Sequence, residues 1–287
     1  MKRFYARLLS LLCLGMICLF LLNYPFYPRG KTIIVGAKNN PECQILAEMM
    51  SALIEKHTDY RVEKKLCLEG SYVAFHALAS GSIDLYVDYT GTLLLTVFQG
   101  ELAKLQDSKE WENRLSQYGV SLLFPFGFNN SYVLLTQKEA PLATAQDLQN
   151  RALRYGFDPE FLTRKEFSLI KEKYQLLLSD YQMMDPALLY FSLNHDSLDV
   201  ISASETDGNI LLYPVKILRI DRGVFPSYEA VCLASQSFLQ GAPEALEAIC
   251  PLRDQITLEK MRQMNYALSA GKSASDIAKI FLQESGL

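Results

Sequence analysis

Two rhythms of apolar and polar residues run along this chain, and they assign most of its elements. From Glu42 to His57 the apolar positions are Ile45, Leu46, Met49, Met50, Leu53 and Ile54. Steps of one, three and four residues place them on one face of a helix. Lys31 to Gly36, Tyr60 to Leu68 and Ile83 to Tyr86 read as short strands, with a second helix over Ser71 to Ser80. Strand–helix–strand–helix–strand predicts a parallel sheet with crossover helices.

The second half repeats the style. Tyr132 to Thr136 reads as a strand, Ala145 to Gln149 as a short helix, and Leu153 to Tyr155 as a strand. Leu176 to Met183, Pro186 to Leu193 and Leu198 to Ile201 form another strand–helix–strand unit. Val215 to Ile220 and Ala230 to Ala234 are further strands. Helices follow over Pro243 to Cys250, Thr257 to Leu268 and Ser273 to Leu282, with Ser273 and Ser275 as N-cap candidates. No repeat of solenoid period and no low-complexity linker interrupts the series, so two α/β lobes are the simplest assembly.

The first 30 residues follow a different pattern. Lys2, Arg3 and Arg7 precede an apolar run from Leu8 to Leu22, broken only by Ser10 and Gly15. A basic start before an apolar core marks export. The run falls short of the roughly 20 residues that span a bilayer. No small-residue cleavage site follows, and neither Cys13 nor Cys18 has the small residues that precede a lipidated cysteine. The expectation for 1–30 is an export signal, cleaved or retained as an anchor in the cytoplasmic membrane. The body would then lie in the periplasm or at the cell surface.

Composition narrows the chemistry. The chain of 287 residues is 49% hydrophobic and 21% charged, an ordinary globular balance. A net charge of −4 without a block of cations points away from nucleic acid. Cys43, Cys67, Cys232 and Cys250 lie beyond the export segment. In an oxidising compartment they permit Cys43–Cys67 and Cys232–Cys250 pairs, and free thiols equally. They show no metal-binding spacing, so no metal is expected. The three histidines, His57, His76 and His195, fall at a helix end, inside a helix and in a turn. No G-x-S-x-G, H-E-x-x-H or phosphate-cradling glycine loop accompanies them, so neither an enzyme nor a cofactor is expected.

Recognition is better supported. The chain has 16 tyrosines, and some stand at strand ends in polar surroundings. Asp88-Tyr89-Thr90-Gly91-Thr92 follows a strand, Phe128-Asn129-Asn130-Ser131-Tyr132 leads into one, and Phe225-Pro226-Ser227-Tyr228 precedes another. Tyrosines so placed can line a cleft between lobes. Their ring faces attract a methylated cation by about 0.5–1 kcal/mol when exposed and about 2 or more when desolvated.

Further segments carry a family resemblance. They are Val35-Gly36-Ala37-Lys38-Asn39, Ile45-Leu46-Ala47-Glu48-Met49, Tyr89-Thr90-Gly91-Thr92 and Gly127-Phe128-Asn129-Asn130-Ser131-Tyr132. Pro159-Glu160-Phe161-Leu162-Thr163-Arg164, Met184-Asp185-Pro186, Thr206-Asp207-Gly208 and Phe225-Pro226-Ser227-Tyr228 continue the series. In this order and at this spacing the chain resembles the ProX-type glycine betaine/choline-binding proteins of osmoprotectant ABC importers, from about Thr32 to the C-terminus.

The resemblance implies a two-lobed, periplasmic-binding-protein-like α/β fold of type II. Lobe I would hold 31–128 plus 230–287, and lobe II 129–229, joined by a double crossover. A monomeric body would trap a small quaternary ammonium ligand between the lobes and dock on a permease driven by an ATPase. The family's tyrosine cage falls on Tyr89, Tyr132 and Tyr228. Lys38, Thr92 and Arg164 match positions that hold the ligand's carboxylate or its surroundings, and Asn130 stands beside the cage. One position departs from the pattern. Ser204 occupies the place of a further cage tyrosine, and Glu205 adds a carboxylate nearby. The expectation is a wider cage for a guest other than simple glycine betaine. An amino acid or polyamine receptor of the same fold, with Glu205 meeting an extra ammonium, is the alternative, and an envelope-anchored non-transport protein is another.

Overall fold

The strand Thr32–Lys38 (β1) is buried along nearly its whole length. A strand covered on both faces belongs inside a sheet with helices above and below. The computed structural model, which describes residues 32–98, 108–178, 181–220 and 227–287, shows this arrangement. The expected export segment, as well as Phe225 and Pro226, lies outside the described residues.

β1 pairs in parallel with Arg61–Leu68 (β2) and Leu85–Tyr89 (β3). The helices Pro41–His57 (α1) and Gly70–Ala79 (α2) make the crossovers. Asn40 caps α1 by accepting from the Cys43 N–H, and Pro41 opens the helix. The apolar face read from the sequence, Ile45 through Ile54, is buried in the first lobe's core. Glu229–Ser235 (β10) lies antiparallel between β3 and Val120–Asn129 (β4), giving the order β2-β1-β3-β10-β4. The C-terminal helices Leu258–Ser269 and Ala274–Glu284 add Met261, Met264, Ile277 and Phe281 to the same core.

The second sheet comprises Tyr132–Gln137 (β5), Tyr155–Phe157 (β6), Tyr181–Met183 (β7), Val200–Ser204 (β8) and Val215–Leu218 (β9). Its order is β7-β6-β8-β5-β9. β6 pairs in parallel with β7 and β8, whereas β5 runs antiparallel to β8 and β9. The first sheet extends through Asn129 and resumes at Glu229, and these two residues face each other across β4 and β10. Gly208, in the second lobe, lies against the helix Leu258–Ser269. A Cβ there would stand 2.4 Å from the Tyr266 nitrogen, so only glycine allows the contact.

The parallel sheet with crossover helices expected for the first half is present in β1, β2 and β3, and antiparallel strands complete both sheets. β5 begins directly after β4 of the first sheet and runs antiparallel to β8 and β9, and β10 runs antiparallel to β3 and β4. β4 and the helices Ser108–Ser116 and Lys165–Lys173 were not anticipated. The strand expected from Leu176 is reduced to Tyr181–Met183. Gln175, at φ 48°, turns the chain, and Leu176 packs into the core from that turn. The four cysteines are free thiols, so neither candidate pair is bonded. Among the described residues no helix is long and apolar enough to cross a membrane. No cluster there could hold a metal ion.

A candidate ligand cavity between the lobes

Strand ends and helix starts from both sheets converge on one cavity of about 530 Å³. That volume is within the roughly 300–1,000 Å³ range of small-molecule sites. Eight of the nine residues singled out in the sequence line it: Lys38, Tyr89, Thr92, Asn130, Tyr132, Arg164, Ser204 and Tyr228.

The first lobe supplies a rigid wall. Lys38 ends β1 and Tyr89 ends β3, both almost fully buried. The Lys38 ammonium donates to Asp88 Oδ1 at 2.6 Å and to Ser71 Oγ at 2.9 Å. It also stands 5.0 Å from the Tyr89 ring centroid. Burial is the largest single influence and pulls the Lys38 pKa down, but the Asp88 charge, Cys43 and the Asp88 hydrogen bond together outweigh it, so the net shift is upward and the ammonium stays charged. The Tyr89 hydroxyl donates to Glu42 Oε2 at 2.6 Å. Burial holds that phenol well above its ordinary range, so it remains a donor. Tyr228 stands just before β10 and packs in the first lobe's core. Gly91 makes room for it. A Cβ on Gly91 would meet the Ser227 carbonyl oxygen and the Tyr228 ring at 2.8 Å.

The second lobe supplies the facing wall. Tyr132 opens β5 opposite Ser204 at the end of β8. Its ring packs on Phe161 at 4.9 Å. Arg164 sits between the helices Pro159–Thr163 and Lys165–Lys173. Its guanidinium lies 5.1 Å from the Tyr132 ring centroid and 5.5 Å from that of Tyr228. Nη1 donates to the Tyr228 hydroxyl at 3.1 Å, and Nη2 donates to Glu160. Burial opposes the Arg164 charge, but Glu160 raises its pKa, so it is permanently cationic. The aromatic faces of both lobes thus already carry the protein's own cations.

Asn130, in the crossover, donates to Glu42 at 3.2 Å through Nδ2. Its backbone N–H donates to the Tyr228 carbonyl at 2.9 Å. Glu42 also accepts from Thr206 and from Asn265 Nδ2. Burial raises its pKa, and the bonds from Thr206, Tyr89 and Asn265 work against the rise. This one carboxylate therefore ties together the first lobe, the crossover, the loop after β8 and the penultimate helix.

Glu205 corrects the sequence reading. It does not line the cavity; its Oε2 accepts from Asn129 Nδ2 at 3.3 Å, and its carbonyl accepts from Arg262 Nε at 2.7 Å. The backbone turn after β8 points it to the crossover. The sequence reading also missed Tyr72, a lining residue in the first turn of α2 that is 59% exposed. It lies in the apolar run Tyr72-Val73-Ala74-Phe75, where it looks like a core residue. The wall opposite Tyr132 at position 204 carries no ring.

A family model described as the substrate binding domain of the ABC-type glycine betaine transport system matches residues 31–284. The chain is 30% identical over 270 residues to the ergothioneine transport permease/ergothioneine binding protein EgtU of Helicobacter pylori, covering 90% of this chain and 48% of that protein. It thus spans about half of that relative's length. It is also 30% identical over 269 residues to the carnitine transport binding protein OpuCC of Listeria monocytogenes, covering 88% and 86%. A crystal structure of a glycine betaine/carnitine/choline ABC transporter protein superimposes with a TM-score of 0.77 at 27% identity, covering 88% of this chain and 98% of the other. Family match, shared fold and an interlobe cavity agree, and the chain belongs to the family of substrate-binding domains of ABC-type glycine betaine transport systems.

Proposed function

We propose that this protein is the extracytoplasmic receptor of an ABC importer and captures a quaternary ammonium solute in the cavity between its lobes. One observation carries the reading: Tyr89 and Tyr228 from the first lobe and Tyr132 from the second line a single cavity with Arg164 and Lys38. The rings offer faces to a cation that cannot donate hydrogen bonds. Arg164 and Lys38 suit a carboxylate at the guest's other end, with Thr92 beside them. Relatives named for carnitine and ergothioneine support a guest of this class. Closure on the solute would present both lobes to a permease with its ATPase, and 1–30 would export or anchor the body.

The serine at position 204 leaves room where the resemblance implies a ring, so the reading extends to a guest bulkier than glycine betaine. Isothermal calorimetry of the purified protein with glycine betaine, choline, carnitine and ergothioneine tests both parts. Expected is saturable binding of at least one, with glycine betaine not the tightest. Binding of none overturns the receptor reading, and glycine betaine as the tightest overturns the wider cage. The polyamine alternative loses its main support, because Glu205 stands away from the cavity.

A further inference from the structure

Behind each of the three cavity tyrosines stands a carboxylate. The Tyr89 hydroxyl donates to Glu42 at 2.6 Å. The Tyr228 hydroxyl donates to Glu166. The Tyr132 hydroxyl reaches Asp158 Oδ1 at 3.4 Å, a longer and weaker contact. Glu42 is 5% exposed, Glu166 0% and Asp158 8%. None of the three lines the cavity.

Each acid is itself held in place. Glu42 lies in the first turn of α1 and takes bonds from Thr206 and Asn265. Asp158 caps the helix Pro159–Thr163 through the Phe161 N–H and accepts from Ser202 Oγ at 2.8 Å. Glu166 lies in the first turn of the helix Lys165–Lys173, and its second oxygen is buried without a hydrogen-bond partner. A helix start favours a carboxylate there. Burying one without a full complement of donors is costly. A neutral residue would hold a phenol as well at lower cost, so three acids in this role call for an electrostatic reason.

We propose that Glu42, Glu166 and Asp158 are positioning residues that act through Tyr89, Tyr228 and Tyr132 and make the cage select charge as well as shape. The proposal rests on reading the cavity as a quaternary ammonium site. A phenol that donates to an anion is polarised toward the ring, because linked hydrogen bonds strengthen one another in a low-dielectric interior. Its face becomes more negative and attracts a cation more strongly. The same bond fixes the ring's orientation toward the cavity. Negative charge behind the wall also offsets Lys38 and Arg164, which would otherwise repel a cationic guest; at Glu42 the burial that favours the neutral acid is opposed by the bonds from Thr206, Tyr89 and Asn265 and by the Lys38 charge.

The test pairs choline with its carbon isostere, 3,3-dimethylbutan-1-ol, which has the same outline and no charge. Calorimetry measures both affinities for the intact wild-type protein and for E42Q, E166Q and D158N. Each substitution keeps an acceptor for the phenol and removes the charge. Choline affinity is expected to fall by about threefold to tenfold in E42Q and E166Q, the span of a weakened cation–π contact, and less in D158N. The isostere's affinity is expected to hold, so the ratio of the two falls. An equal loss for both probes makes the acids structural supports only and overturns the proposal. So does an unchanged ratio. The ratio is taken within each folded variant, and E166Q carries the test if E42Q does not fold. Wild type that binds neither probe and none of the four solutes above overturns the receptor reading itself, an outcome separate from the other two.

Discussion

Each lobe contains an ion pair with a nitrogen–oxygen distance of 2.6 Å: Lys38–Asp88 in the first and Arg154–Asp199 in the second. Distance does not separate them; surroundings do. The Lys38 and Asp88 side chains are 10% and 0% exposed, those of Arg154 and Asp199 53% and 30%. The first pair lies in the cavity wall and has given up its water. The second lies on the surface, where Asp199 also accepts from the Arg154 backbone N–H at 2.7 Å and fastens β6 beside β8. Equal geometry therefore carries unequal energy. Removing one member of a dry pair strands the other, whereas a wet pair has solvent to replace its partner.

The largest effect is expected for Lys38→Met. It leaves the Asp88 carboxylate buried and unpaired, and urea unfolding should show a loss of about 3–5 kcal/mol. A loss no greater than that of a surface substitution would erase the contrast between the two pairs. Next comes Arg164→Met, on the cavity's other wall. Its partner Glu160 is 66% exposed, so the fold should tolerate the change better than that of Lys38. Binding should not. A charged hydrogen bond to a solute carboxylate is worth about 1.5–3 kcal/mol, so carnitine should weaken by about tenfold or more in calorimetry. Choline, which has no carboxylate, should keep its affinity or gain, and a parallel loss of both would break the assigned role.

The smallest effect is expected for Asp199→Asn. Its pKa is lowered, chiefly by the hydrogen bond from Arg154, so its stabilisation is present above the ordinary value of 3.8. That contribution is lost as pH falls through the lower folded-state value. Thermal melts of wild type and D199N should differ slightly at neutral pH and low salt. They should converge in about 1 M salt, where screening is nearly complete, and in acid. A difference that grows on acidification would reverse the sign argued here.

What could be read from the sequence followed periodicity and local chemistry. The buried face of α1 was legible because six apolar residues keep a helical spacing. Tyr89, Tyr132 and Tyr228 were legible as strand-end residues within short motifs, and Gly91 had a steric reason that only coordinates reveal. Tyr72 was hidden by an apolar run without a clear face. Glu42 looked like an ordinary first-turn acid, since nothing local announces that Tyr89, Asn130, Thr206 and Asn265 converge on it from distant segments. The antiparallel entry of β5 and β10 was hidden for the same reason, because it depends on where the chain crosses between lobes and not on any residue within the strands.

Arg164 already rests against two aromatic faces that the solute would use. On the proposed reading, capture is an exchange of one cation for another. The net affinity is then a difference, smaller than the rings alone would supply. Release becomes correspondingly easier, since the guanidinium can slide back as the cargo departs and no bare π surface need meet water. On the same reading, a carrier that must hand its load onward gains more from such a resident substitute than from the tightest possible grip.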